Sequence, residues 1–112
     1  MAKLLMRAQG IDGLVELLND RVVITRSGLW TMLKYGLNSK REIPLSAISE
    51  VAFKPAGMLT MGEIEFIRSG RSADERNKDH SVVKFNRRKA AEFEAIKERI
   101  FVLIEQYARQ TK

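Results

Sequence analysis

Histidine, the side chain most often used in acid–base catalysis, occurs once in this 112-residue chain, as His80. It stands between Asp79 and Ser81 at the entry to an apolar segment. Adjacent side chains of a strand point to opposite faces, whereas a catalytic triad needs a histidine held between its two partners. The spacing of these three residues therefore does not favour nucleophilic catalysis.

Glu63 and Glu65 share one face of a predicted strand, an arrangement from which paired catalytic carboxylates can arise. A charged, solvent-facing strand is the preferred interpretation of this pair. The chain has no cysteine, no phosphate-binding loop and no dinucleotide fingerprint, and one histidine cannot build a histidine-rich metal site. We therefore predict that the protein is not an enzyme, with no catalytic residue, metal, cofactor or small-molecule substrate.

The composition is that of a soluble globular protein, with 45% hydrophobic and 30% charged residues. This length predicts a single domain over residues 1–112. Twenty basic residues against 14 acidic ones give a net charge of +6, spread over both halves of the chain. Such an excess serves solubility or a weak attraction for anionic partners. Without a signal peptide or a spanning apolar run, a cytoplasmic location is expected, with peripheral membrane contact as an open alternative.

Period-two alternation of apolar residues predicts the elements that position these side chains. Residues 40–54 indicate a strand, a tight corner at Pro44 and Ser46, and a second strand. Residues 14–18 and 22–25 flank a short polar turn and predict a hairpin. Further strands are predicted at residues 6–9, 62–68 and 82–85, so strands occupy about residues 6–86.

The apolar period changes to three and four residues after Arg87. This spacing predicts an amphipathic helix over about residues 87–109, with Asn86 as its N-cap. The apolar stripe of this helix comprises Phe93, Ile96, Ile100, Leu103, Ile104 and Tyr107. We predict that the stripe faces the sheet.

Several segments, in this order, resemble a bacterial pleckstrin-homology-like (PH-like) domain, in a subfamily of unknown function. The matching segments are Gly13-Leu14-Val15-Glu16, Asp20-Arg21-Val22-Val23-Ile24, Ile43-Pro44-Leu45-Ser46-Ala47-Ile48, Val51-Ala52-Phe53-Lys54, Ala56-Gly57, Gly62-Glu63-Ile64-Glu65-Phe66 and Val82-Val83-Lys84-Phe85, followed by the final helix. The resemblance implies an α+β, mainly β fold, namely a PH-like antiparallel barrel of six or seven strands capped by one C-terminal α-helix.

The resemblance brings no established catalytic residues, and some relatives assemble as homo-oligomers. Phosphoinositide-binding PH domains use a basic loop between their first two strands. We place the corresponding loop at residues 19–21, a short segment that includes Asp20. The resemblance therefore does not imply the usual headgroup pocket, and a fold by itself does not establish a function.

Large apolar residues are unusually dense in the connection at residues 27–39, where polar residues are expected. This segment either covers the barrel end or forms a contact surface. On the helix, two further apolar residues lie outside the buried stripe. The candidate contact residues are Leu29, Trp30, Met32, Leu33, Tyr35, Leu37, Phe101 and Val102.

Basic residues form two candidate anion-facing groups, Lys34, Lys40 and Arg41 in the first and Lys84, Arg87, Arg88 and Lys89 in the second. No aromatic platform is interleaved with them, so nucleic acid is disfavoured. The prediction is a non-catalytic binding or assembly module whose partner is a protein, including a second copy of itself. The alternative is peripheral association with an anionic membrane through the 28–41 loop.

Overall fold

The computed structural model describes residues 3–26, 40–68 and 82–110 and contains seven strands and one long helix. The strands are β1 (Leu4–Gln9), β2 (Leu14–Leu18), β3 (Arg21–Thr25), β4 (Lys40–Pro44), β5 (Ile48–Lys54), β6 (Gly62–Arg68) and β7 (Val82–Phe85). The helix is α1 (Ala90–Gln110). The predicted mainly β class with one C-terminal helix is confirmed.

The first sheet is an antiparallel meander with the order β1-β2-β3-β4. Val15 lies opposite Ile24, and Val22 lies opposite Ile43, so apolar side chains from neighbouring strands share the inner face. All four of these side chains are buried. The leading strand expected at residues 6–9 is β1, which begins at Leu4.

The second sheet has the order β5-β6-β7 and is also antiparallel. A 3₁₀ turn, Leu45–Ala47, carries the chain from β4 of the first sheet into β5 of the second. Leu45 is buried at this corner, and its backbone N–H donates to the Asp20 carbonyl at 3.0 Å. The predicted strand–corner–strand pattern of residues 40–54 is confirmed.

The predicted closed barrel is not found within the described residues. The chain instead forms two sheets, of four and three strands, and no ladder pairs β4 with β5 or β7 with β1 there. The Leu45–Ala47 3₁₀ turn, and not a hairpin, joins β4 to β5, and the chain passes there from one sheet to the other. Buried side chains of both sheets belong to one shared core.

The assignment of residues 19–21 to the loop between the first two strands is wrong. Because β1 precedes the predicted hairpin, residues 10–13 join the first two strands, and Asn19 and Asp20 join the second and third. Residues 10–13 contain no basic side chain.

The helix packs with its predicted stripe against the core. Phe93, Ile96 and Ile100 are fully buried and Leu103 nearly so, while Ile104 and Tyr107 are partly buried against the same cluster. The 3₁₀ turn Arg87–Lys89 precedes the helix, and Asn86 Oδ1 accepts from the Lys89 backbone N–H at 3.3 Å. The helix therefore begins three residues later than predicted, with Asn86 capping the 3₁₀ turn.

Three phenylalanine rings join the second sheet to the helix. Phe85 stacks on Phe93 with ring centroids 4.6 Å apart and on Phe53 at 5.5 Å. Gly62 lies directly against the Phe85 ring, and any Cβ at this position would overlap it. The close approach of β6 to β7 at this point therefore requires glycine.

Candidate functional site

The connection between β5 and β6, residues 55–61, places large apolar side chains in solvent. Met58 is 86% exposed, Leu59 is 98% exposed, and Met61 is about half exposed. The Gly57 N–H donates to the Thr60 carbonyl at 3.0 Å and to Thr60 Oγ1 at 3.2 Å, which closes the turn beneath Met58 and Leu59. The turn therefore projects two apolar side chains that contribute little to the fold.

A cleft of about 490 Å³ separates this loop from the start of the helical segment. Residues 57–61 form one wall, and Asn86, Arg87 and Arg88 form the other. Both arginines are exposed, and neither forms an ion pair within the described residues. The site combines an apolar wall with a cationic one.

The predicted anion-facing residues do not form one surface. Arg87, Arg88 and Lys89 lie together before the helix, and Lys89 Nζ is 3.4 Å from a Glu92 carboxylate oxygen. Lys84 lies on β7, opposite Glu63 in register. Lys40 and Arg41 belong to β4 of the other sheet, where Lys40 is exposed and Arg41 is half-buried, and Lys34 lies outside the described residues.

The helix places Phe101 and Val102 on its outer side, 46% and 47% exposed respectively. They are adjacent in sequence and lie outside the buried stripe, as predicted from their helical position. The other predicted contact residues fall outside the part of the chain that the structure describes. These are Leu29, Trp30, Met32, Leu33, Tyr35 and Leu37.

Arg26 and Asp12 form a buried ionic cluster that sequence reasoning missed. Arg26 is 1% exposed, and its Nη1 donates to the Asp12 carbonyl at 2.9 Å and lies 3.6 Å from the Asp12 carboxylate. Its Nη2 donates to the Val82 carbonyl, and Asp12 Oδ1 accepts from the Lys84 N–H at 2.9 Å. The Ile11 N–H also donates to the Lys84 carbonyl at 2.7 Å. This Asp12–Arg26 cluster joins the first sheet to β7.

A second ionic group is exposed at the turn between β2 and β3. Arg21 donates to both carboxylate oxygens of Asp20, each at 3.0 Å, and to Glu42 Oε1 at 2.8 Å. These hydrogen bonds from Arg21 lower the pKa of Asp20 and of Glu42, and its own pKa is raised by both carboxylates. With Pro44, the three side chains line a shallow cleft of about 290 Å³. All three charged groups are hydrogen-bonded within the group, which is therefore better suited to joining β3 and β4 than to binding a ligand.

The residues considered for catalysis are not gathered into a site by the described part of the chain. Glu63 and Glu65 are half-buried neighbours on one face of β6, as predicted. His80 with Asp79 and Ser81 lies outside the described residues. Across residues 3–26, 40–68 and 82–110, no group of three or more metal-ligating side chains is found. The α1 helix is also too polar to cross a membrane, and the described residues contain no other long helix.

The missed residues left recognisable signals in the sequence. Arg26 follows Val22 and Ile24 at the period of two, so it continues the buried face of β3 just after that strand ends. The Met58-Leu59-Thr60-Met61 segment shows the same high apolar density in a connection that singled out residues 29–37. The period-two spacing therefore indicates the buried arginine, and the apolar density indicates the exposed loop.

Comparison with known proteins identifies one family. Neither the curated proteins nor the solved structures include a significant match to this chain. A protein-family profile, described as a domain of unknown function, matches residues 17–100, which run from β2 into the middle of α1. Because this match spans most of the sequence, the chain belongs to the DUF4429 family, a domain of unknown function.

Proposed function

We propose that the protein is a non-catalytic PH-like module that makes protein–protein contacts, including contacts with a second copy of itself. The strand order supports the PH-like assignment, because within the described residues antiparallel strands follow in chain order and a long helix comes last. That helix packs against β1 and the Leu45–Ala47 corner, as expected for a helix that plugs one end of such a fold.

The observation that carries the contact function is the pair Phe101 and Val102 on the outer side of α1. The opposite side of this helix fills the core, whereas these two side chains lie outside the core and remain about half exposed. Aromatic side chains exposed next to other apolar groups are enriched in protein interfaces. A second copy can bury this surface through a symmetric helix contact.

We also propose that the protein has no catalytic activity, because its sequence offers few of the side chains that catalysis uses. A single histidine and the lack of cysteine remove most nucleophile–base combinations. The strongest charge cluster, Arg21 with Asp20 and Glu42, is internally paired and leaves no group with a pKa near neutral pH. Binding by surface complementarity requires none of these groups.

The test is the molar mass of the full chain in solution, measured by light scattering after size exclusion over a range of concentrations. We expect a mass above 12.8 kDa at high concentration, and a return to 12.8 kDa in the variant Phe101→Ser/Val102→Ser. Phe, Val and Ser have similar helix propensities, so the helix should persist. Circular dichroism checks that it does.

Ile11→Ser is the matched control, because Ile11 is also about half exposed but lies on the first loop and not on the helix. This variant should keep the mass of the wild type. A mass of 12.8 kDa for the wild type at every concentration would contradict self-association. An oligomer that survives Phe101→Ser/Val102→Ser would show that another surface mediates it.

A further inference from the structure

We infer that the β5–β6 loop, together with Arg87 and Arg88, docks on the surface of an anionic lipid bilayer. This site differs from the helix surface assigned to protein contacts, and from the 28–41 loop that the sequence suggested for membrane contact. The inference therefore goes beyond the proposed function and stands or falls separately from it.

The first support is the shape of the loop tip. Met58 and Leu59 are almost completely exposed at the end of a closed turn, so they form a convex apolar projection. Large apolar side chains held in water in this way favour transfer to an apolar phase. The turn satisfies the Gly57 N–H internally, so insertion of the tip requires no loss of that hydrogen bond to water.

The second support is the charge behind the tip. Arg87 and Arg88 line the same cleft from the opposite side, and both guanidinium groups are free of ion pairs within the described residues. Glu63 is the first acidic residue after the loop. It pairs in register with Lys54 on β5 and with Lys84 on β7. The surface around the loop is therefore predominantly cationic.

The position of these cations is unfavourable for the helix itself. Arg87, Arg88 and Lys89 occupy the turn immediately before α1, and cations at a helix N-terminus oppose the helix dipole. Lys89 is partly compensated by Glu92, but Arg87 and Arg88 have no such partner there. An anionic surface outside the protein would complement these two charges.

A bilayer matches the combination of these features. Its anionic headgroups cover an apolar interior, and this protein presents two almost fully exposed apolar side chains beside two arginines that line the same cleft. A folded protein partner would instead need a concave apolar pocket with an acidic rim. The convex apolar turn beside cations that are unpaired within the described residues therefore favours the bilayer as the occupant.

The test is sedimentation of the full chain with vesicles of phosphatidylserine and phosphatidylcholine, compared with phosphatidylcholine alone. We expect binding to the anionic vesicles only, weakened by added salt. Met58→Ser/Leu59→Ser should lower the partition coefficient on the order of tenfold, because the apolar tip is lost. Arg87→Gln/Arg88→Gln should lower it about fivefold for each cation removed.

Two matched controls separate site effects from general effects. Ile11→Ser removes an exposed apolar side chain elsewhere, and Arg99→Gln/Arg109→Gln removes the same total charge from later in the helix. Both variants should bind like the wild type. Equal losses in the controls would mean that vesicle binding depends on overall charge or hydrophobicity, and would overturn the proposed site.

A direct readout is available because the chain has no cysteine. Leu59→Cys, labelled with an environment-sensitive fluorophore, should show a blue shift on adding anionic vesicles, whereas labelled Ile11→Cys should not. No shift and no sedimentation at low salt would overturn the proposal. So would a wild-type oligomer that becomes monomeric in Met58→Ser/Leu59→Ser without vesicle binding, since the loop would then contact a second copy.

Discussion

Arg26 shows at the level of one residue how the fold accommodates a charge in its interior. A guanidinium removed from water is tolerated only when hydrogen bonds and an opposite charge replace its hydration. Here the Asp12 carboxylate and carbonyl, and the Val82 carbonyl, lie around its nitrogens. Asp12 lies in the connection between β1 and β2 and Val82 lies on β7, so Arg26 holds separate parts of the chain together.

We therefore expect Arg26→Met to lower the free energy of unfolding by about 3 kcal/mol, because it leaves the Asp12 carboxylate without its opposite charge and the Asp12 and Val82 carbonyls without their donor. Urea denaturation measures this change. Arg7→Met is the control, since Arg7 is exposed and 4.0 Å from Glu16, and surface pairs of this kind contribute little. Equal effects of the two substitutions would show that Arg26 is not a structural residue.

Arg21 should make stability depend on pH in the acid range. Its hydrogen bonds lower the pKa of Asp20 and Glu42 in the folded chain, so their contribution is complete above the ordinary values of 3.8 and 4.5. The contribution is lost as the pH falls through the lowered values. Arg21→Gln should therefore melt slightly earlier than the wild type at neutral pH, and the difference should vanish in acid.

Melting curves between neutral pH and pH values below 3.8 measure this convergence. Arg7→Gln serves as the control, because Glu16 shows no comparable arrangement of hydrogen bonds with Arg7. A difference between wild type and Arg21→Gln that stays constant with pH would show that Arg21 acts through packing alone.

At the level of elements, α1 contributes Phe93, Ile96, Ile100 and Leu103 to the described core. Phe93 stacks on Phe85, and Lys97 Nζ lies 4.9 Å from the centre of the Phe53 ring, so one helix contacts both outer strands of the second sheet. Near its other end, the Tyr107 hydroxyl donates to the Asn19 carbonyl of the first sheet at 3.2 Å. The helix thus contacts both sheets.

Ile100 is fully buried at the centre of this helix. Ile100→Ala should lower the free energy of unfolding by about 2–5 kcal/mol, through lost burial and the cavity left behind. Val102→Ala, on the exposed side, should cost much less when measured in dilute solution. Equal thermal melts for the two variants would contradict the orientation of the helix.

These elements were predictable because their signals are local. The steps of three and four from Phe93 to Tyr107 repeat within one turn, and the alternation of Ile43 and Leu45 repeats within a few residues. The start of α1 was less predictable, because the residue types of Arg87–Lys89 fit the first turn of an α-helix as well as the 3₁₀ turn that they form. Strand pairing and sheet number depend on distant contacts that no short window contains.

For the whole molecule, the separation into two sheets is the feature that the sequence did not predict. Periodicity places Val83 and Ile64 on inner faces, but it does not say whether β7 pairs with β1 or ends the sheet. In the folded chain, side chains take the place of a strand beside β7. Arg26 donates to the Val82 carbonyl, and the Asp12 carboxylate accepts from the Lys84 N–H. For the candidate site, the Arg87-Arg88 cations were predicted, whereas their proximity to Met58 and Leu59 required the folded structure.

The Asp12–Arg26 cluster has a consequence for aggregation. Among the described residues β7 is the last strand of its sheet, and an unpaired strand edge can recruit a strand from another molecule. Here the outward carbonyls of Val82 and Lys84 and the Lys84 N–H are already taken by Arg26, Ile11 and Asp12. A foreign strand could not pair with these three backbone groups, so the cluster also hinders edge-to-edge polymerisation at β7.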